Sequence, residues 1–219
     1  MTLLFALAAA MFYGVADYSG SRGSRLASSA AITFVGQAAA LVIISLYLLV
    51  FRSSPPPLES WLWTTGGGFG GAIALVAFYQ AMSKGSMTVI APITAVIGLS
   101  VPVIAGFIQG ERPETLAWFG IALAVVAVAL VGDVLDKHDL PTSMSAIWLA
   151  VAAGFGFGMI FVCMANASHD HGIWPLFGQR LISVPTVAAI ALMQTRKVTV
   201  PKAAIGFALA AGILDTSAN

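Results

Sequence analysis

Charge is what this chain has least of. Only 9% of its 219 residues are Asp, Glu, Lys or Arg, where a soluble domain carries roughly 25%. The shortage runs the whole length, so no soluble domain of useful size fits between the apolar stretches. The formal net charge of +1 excludes the basic face that a nucleic-acid binder needs. Cysteine is nearly absent. Cys163 stands alone in an apolar run, cannot close an internal disulfide, and gives no reading of the redox compartment. Met1-Thr2-Leu3 lacks the basic stretch of a cleavable signal peptide, so the first apolar run is expected to remain as the first span.

The usual signatures of bound chemistry are missing too. There is no nucleophile elbow and no zinc motif, and the run Gly66-Gly67-Gly68-Phe69-Gly70-Gly71 lacks the lysine and serine of a phosphate loop. His169, Asp170 and His171 sit together, but a metal needs ligands converging from more than one place. No second cluster is in view, so they read as a polar loop. No metal, no cofactor and no enzymatic activity are expected.

What fills the chain is hydrophobic sequence, 59% of it. Its organising stretch is 79–132. Met87 to Gln109 carries no ionisable residue but has Pro92 and Pro102, and Thr115 to Gly132 is uncharged. Only the turn Gly110-Glu111-Arg112-Pro113-Glu114 separates them. At about 1.5 Å per helical residue, each run crosses or nearly crosses a ~30 Å hydrocarbon layer. Backbone polar groups in lipid must be satisfied within their own helix, so this is a helical hairpin in a bilayer. Spans of the same kind are expected at 3–21, 30–51, 62–82, 87–109, 115–132, 145–165, 173–193 and 203–219. Short connections with Gly, Pro and Ser join them, and Trp61, Trp63, Trp118, Trp148 and Trp174 lie near span ends, as interfacial tryptophans do. The glycines of 66–71, the alanines of 8–10 and 38–40, and the stripe Gly154, Gly156, Gly158 predict close helix packing.

An internal repeat is visible. Ala8 to Gly14 resembles Ala152 to Gly158, Phe34-Val35-Gly36-Gln37 resembles Leu176-Phe177-Gly178-Gln179, and Gly70-Gly71-Ala72-Ile73 lines up loosely with Ala211-Gly212-Ile213-Leu214. The order is the same in both copies. A five-span unit that begins again near Ser145 enters from the opposite side of the membrane, the inverted-repeat plan of many secondary transporters. The expected fold is therefore an all-α polytopic membrane bundle of two inverted five-helix repeats. The first covers 1–140, and the second, 141–219, is cut short at about three spans. Two more spans are expected after Asn219 in a complete copy, and a homodimer is one way an incomplete copy could be completed.

Spans three to five resemble the EamA-type branch of the drug/metabolite transporter superfamily. The residues that carry the likeness are Ala77-Phe78-Tyr79-Gln80-Ala81-Met82-Ser83-Lys84-Gly85, then Ala91-Pro92, Gly110-Glu111-Arg112, Gly120 and Gly132. Tyr13-Gly14 is similar to the aromatic-glycine pair of that family's first span, with tyrosine in place of tryptophan, and Pro175 with Arg180 to its seventh-span pattern. The resemblance implies ten spans in two repeats, of which this chain lacks the last two. It also implies efflux of small organic metabolites or drugs, driven by proton or solute exchange, across a bacterial inner membrane.

Polar residues inside the spans are the candidates for solute contact, because a charge at the bilayer centre is costly and turns to the bundle interior or a wet cavity. Tyr13, Gln37, Tyr79, Gln80, Gln179 and Arg180 are expected to line one central cavity. Gln37 and Gln179 hold equivalent repeat positions. Arg180 reads either as an anion-binding or gating group or as half of an ion pair. Asp17 and Asp215 are the proton-coupling candidates, with pairing to Arg22 or Arg25 the alternative for Asp17. Pro92 marks a hinge or a simple bend, and Glu111 and Arg112 a loop clamp. Arg22, Arg25, Lys84, Lys137, Arg196, Lys197 and Lys202 follow odd-numbered spans, with only Arg52 and Arg112 after even ones. That places the odd loops in the cytoplasm, against the cytoplasmic N-terminus that the resemblance implies. Two rival readings stand beside transport by alternating access: a membrane-embedded enzyme on lipid-linked substrates, and a non-transporting truncated paralogue.

Overall fold

A computed structural model describes residues 2–51, 54–112, 114–134, 142–167, 172–196 and 198–219. Among these residues the chain is entirely helical between its turns. The eight helices are α1 (Thr2–Ser24), α2 (Ser29–Phe51), α3 (Leu58–Lys84), α4 (Met87–Ile108), α5 (Thr115–Val134), α6 (Met144–Asn166), α7 (Trp174–Thr195) and α8 (Lys202–Ala218). Each falls on an expected span to within a few residues. Six of them, α1 to α4, α6 and α7, are long and apolar enough to cross a membrane. In α5 the apolar stretch is Ala117–Val128. At 17 residues, α8 reaches about 25 Å, a little short of a ~30 Å core. The protein is a polytopic α-helical membrane protein. The His169–His171 cluster, Arg52, Lys137 and Lys197 lie outside the described residues.

Local chemistry explains where the helices begin and stop. Ser28 caps α2, its Oγ accepting from the Ala31 N–H at 3.2 Å. Ser86 caps α4 by accepting from the Thr88 N–H, and Ser143 caps α6 by accepting from the Ala146 N–H. The backbone N–H of Ser86 donates to Thr142 Oγ1 at 3.0 Å, which ties the α3–α4 turn to the entry of α6. At the other end of α4, Gly110 takes φ 90° and the Glu111 N–H returns to the Gly106 carbonyl. That left-handed stop is why a glycine opens the Gly-Glu-Arg turn. Arg112 then lies over the Phe107 ring at 4.6 Å. The helix α4 runs unbroken through Pro92 and Pro102.

Small residues decide which helices touch. The main packing pairs are α3 with α6, α4 with α6, α1 with α8, α3 with α7, α2 with α8 and α2 with α7, while α5 rests mainly on α4. Between α2 and α8, Gly36 and Gly212 bring the two backbones together so closely that a Cβ on Gly212 would overlap the Gly36 main chain. On α6, Gly154 and Gly158 receive Ile97 and Val101 of α4. Such contacts let dispersion and weak polar contacts act where lipid offers no hydrophobic drive between helices. The pairs also match one another. If α1, α2 and α3 correspond to α6, α7 and α8, then α1–α8 corresponds to α6–α3, α2–α8 to α7–α3, and α2–α7 to itself.

Outward-facing apolar side chains are the rule rather than the exception. Leu3, Leu4, Leu49, Val50, Phe119 and Leu123 are all at least 70% exposed. In water this would be an aggregation surface. On a bundle surrounded by acyl chains it is the lipid-facing surface.

Candidate functional site

Between the helices lies a cavity of about 550 Å³, within the 300–1,000 Å³ range of small-molecule sites. Every helix except α5 contributes to it. The lining follows helical stripes: Ala10, Tyr13 and Asp17 on α1; Gly67, Gly68, Gly71, Leu75 and Phe78 on α3; Ala91, Thr94, Ala95, Gly98 and Leu99 on α4. From the second part of the chain come Phe157, Ile160 and Phe161 on α6, Gln179, Arg180 and Ser183 on α7, and Asp215 on α8. Spacings of three and four residues put each set on one face of its helix.

The wall is divided. One part is apolar and aromatic, with Phe78 and Phe157 edge to face at 5.5 Å. The other is polar and built around Arg180, which is buried on α7 with only 5% of its surface exposed. Its Nη2 donates to Asp215 Oδ2 of α8 at 2.5 Å and to Thr216 Oγ1 at 3.2 Å. The pair joins two helices through residues 35 positions apart in sequence. A lone cation at this depth would be costly, and the carboxylate offsets that cost.

Other polar atoms here have no partner among the described residues. Arg180 Nε, Gln179 Nε2, Ser183 Oγ and both polar atoms of Gln37 are buried without a hydrogen bond. Their residues are 5%, 5%, 2% and 3% exposed, respectively. Buried polar atoms are almost always satisfied in folded proteins, so a cluster of such exceptions around one cavity can receive a polar group from elsewhere. Asp17 also lines the cavity, and among the described residues it forms no ion pair. Gly67 leaves room for this arrangement: a Cβ there would press on the Gln179 amide.

Of the six residues expected to share a cavity, Tyr13, Gln37, Gln179 and Arg180 do so, and both candidate carboxyls, Asp17 and Asp215, join them. Tyr79 and Gln80 do not line it. The Tyr79 ring fills the space above Gly20, so that it locks α3 against α1. It is 3% exposed. Gln80 stands a further 100° around the helix. Pro92 lies beside the lining residue Ala91 but off the α4 stripe. Glu111 and Arg112 stay exposed in their turn, away from the cavity. Sequence reasoning missed Ser183 and Thr216. Ser183 was within reach, since it lies three residues beyond Arg180 on the same helix face. Thr216 was not, because its contact depends on how α7 and α8 are placed relative to one another.

A family model described as EamA-like transporter family matches residues 1–132. No curated protein matches the chain.

Proposed function

We propose, from the premise that this chain belongs to the EamA-like transporter family, that it is a secondary transporter exporting small organic metabolites or drugs by alternating access. The observation that carries this is the central cavity, where unpartnered polar groups surround a buried ion pair. A scaffold helix bundle gains nothing from burying unsatisfied polar atoms, whereas a binding site uses them. The matched packing pairs support a two-repeat arrangement with its cavity at the repeat interface. In this reading 1–140 is the first repeat and 141–219 belongs to the second.

Tyr13, Gln37, Gln179 and Arg180 face the solute, and the Arg180–Asp215 pair couples α7 to α8 as the halves rock. Asp17, which forms no ion pair among the described residues, is the carboxyl that exchanges a proton or a cationic group. Glycine contacts such as Gly36–Gly212 provide smooth faces for the movement. The location proposed is a bacterial inner membrane.

The test is solute flux in vesicles containing the purified protein, measured over a panel of neutral, cationic, anionic and zwitterionic metabolites. Flux of at least one solute, abolished in Arg180→Ala while membrane insertion is retained, is the expected result. Normal flux in that variant removes Arg180 from the mechanism. Chemical conversion of a lipid-linked substrate without flux favours an enzyme instead.

A further inference from the structure

The packing divides the bundle into two bodies. In one, α1 and α2 pack on α8. In the other, α3 packs on α6 and α7, and α4 packs on α6. Few ties cross between the bodies: α2 packs on α7, Arg180 binds Asp215, and α1 and α2 touch α3 more lightly. Among the described residues α1 has no comparable contact with α4 or α6.

The cavity between the bodies differs at its two ends. Short connections reverse the chain, so α1, α3 and α7 run against α4, α6 and α8. The α3–α6 contacts agree, with Gly66 facing Cys163 and Gly70 facing Met159. Toward the end where α1 begins, the lining is open. Ala10, early in α1, Leu99 and Phe161, in the later halves of α4 and α6, and Asn219 are all exposed. Toward the end where α1 finishes, the lining is shut, and Phe78, late in α3, is buried. The gradient is sharpest on α1 itself. None of residues 3–15 is buried, whereas Ala16, Ser19, Gly20, Ser21, Gly23 and Ser24 are.

Between α1 and α3 the closure is thin. The Tyr79 ring fills a notch left by Gly20, where a Cβ would overlap it. Arg25 Nη2 donates to the Met82 carbonyl at 3.5 Å, longer than an ordinary hydrogen bond. The neighbours on α1 are serines and glycines, which offer few atoms for dispersion contacts. Both partners of the ring contact adjoin the cavity. Tyr79 follows the lining residue Phe78 on α3, and Gly20 lies three residues, about one turn, beyond the lining residue Asp17 on α1.

We propose that Tyr79 seated in the Gly20 notch is a latch between the two bodies. It holds one end of the cavity shut while the other is open, and its release is the step that exposes the cavity on the opposite face. A solute resting on Asp17 and Phe78 acts on both sides of the latch at once. The latch rests on the transporter reading and adds to it the residues that switch access.

The experiment is cysteine labelling from each face of the membrane. The reporter is Leu75→Cys, on the cavity wall, in a Cys163→Ser background, probed with a membrane-impermeant maleimide in intact cells and in inverted vesicles. Leu26→Cys, exposed after α1, shows which preparation presents the latch face. With the latch intact, the reporter should label mainly from the face opposite to Leu26. Gly20→Ala, which crowds the ring from α1, and Tyr79→Leu, which removes the ring but keeps apolar volume, should each raise labelling from the latch face about tenfold by shifting the open–closed equilibrium. Tyr79→Phe, which keeps the ring, should label as the parent does. Unchanged labelling from the latch face in both variants overturns the latch, as does a parent that labels equally from both faces. Failure of both variants to fold makes the contact a packing element and also overturns it. Labelling needs no solute, so these outcomes leave the transporter reading standing, whereas folded protein that moves no solute overturns that reading whatever the labelling shows.

Discussion

Two kinds of interior share this bundle. Where α2 meets α8, Gly36 and Gly212 remove every side-chain atom from the contact and the backbones close on each other. At the central cavity the lining runs from glycine to phenylalanine and arginine, and several of its buried polar atoms have no partner among the described residues. Both interiors are built from the same few helices, so the cavity is not a general looseness of packing. The backbones close on each other at Gly36 and Gly212, whereas at the cavity small residues such as Gly67, Gly71 and Gly98 share the lining with Arg180, Gln179, Gln37 and the phenylalanines. One interior sets the architecture, and the other is the one proposed to receive the solute.

This contrast can be broken at either side, with effects of graded size. The largest is expected at the ion pair. Asp215→Ala leaves Arg180 buried without a counter-charge and should cost about 3–5 kcal/mol, read as a fall in the thermal unfolding midpoint together with loss of flux. The double variant Arg180→Met with Asp215→Leu sharpens the point. Apolar replacement of a buried pair is often neutral or stabilising, so stability should return while flux does not. If flux returned with stability, the pair would be a packing device only.

Next in size is the glycine contact. Gly212→Leu forces side-chain volume between two backbones and should lower stability by about 1–3 kcal/mol, seen as a lower unfolding midpoint. Solute preference in the fraction that remains folded should be unchanged. A changed preference with unchanged stability would merge the two interiors into one. The smallest effect belongs to a residue beside the cavity but outside it. Tyr79→Phe keeps the ring against Gly20 and should shift stability by no more than about 0.5 kcal/mol, with flux near that of the unaltered protein. A severe loss of flux would bring Tyr79 back into the solute path.

The helices were readable from sequence because the bilayer asks for long uncharged runs, and their turns are marked by capping serines and Gly110. The site was readable in part. Arg180, Gln179, Gln37 and Tyr13 declared themselves as polar residues in apolar runs. Tyr79 and Gln80 did so too, but polarity does not fix the direction in which a helical residue points. On α3 the lining runs 67, 71, 75, 78, a stripe of three- and four-residue steps, and the next two residues turn away by 100° each. The partner of Arg180 was beyond reach, since sequence offered Asp215 and Asp17 as separate candidates and only the placement of α8 relative to α7 selects Asp215.

The claim that the cavity is the solute path is tested most directly at Ser183, which is 2% exposed by side-chain packing yet faces the cavity. Ser183→Cys, combined with Cys163→Ser so that no other thiol remains, should be labelled in membranes by a small water-soluble maleimide. Labelling should stop flux, and a transported solute should slow it. A thiol at 183 that never reacts, or one that reacts and leaves flux intact, would contradict the account.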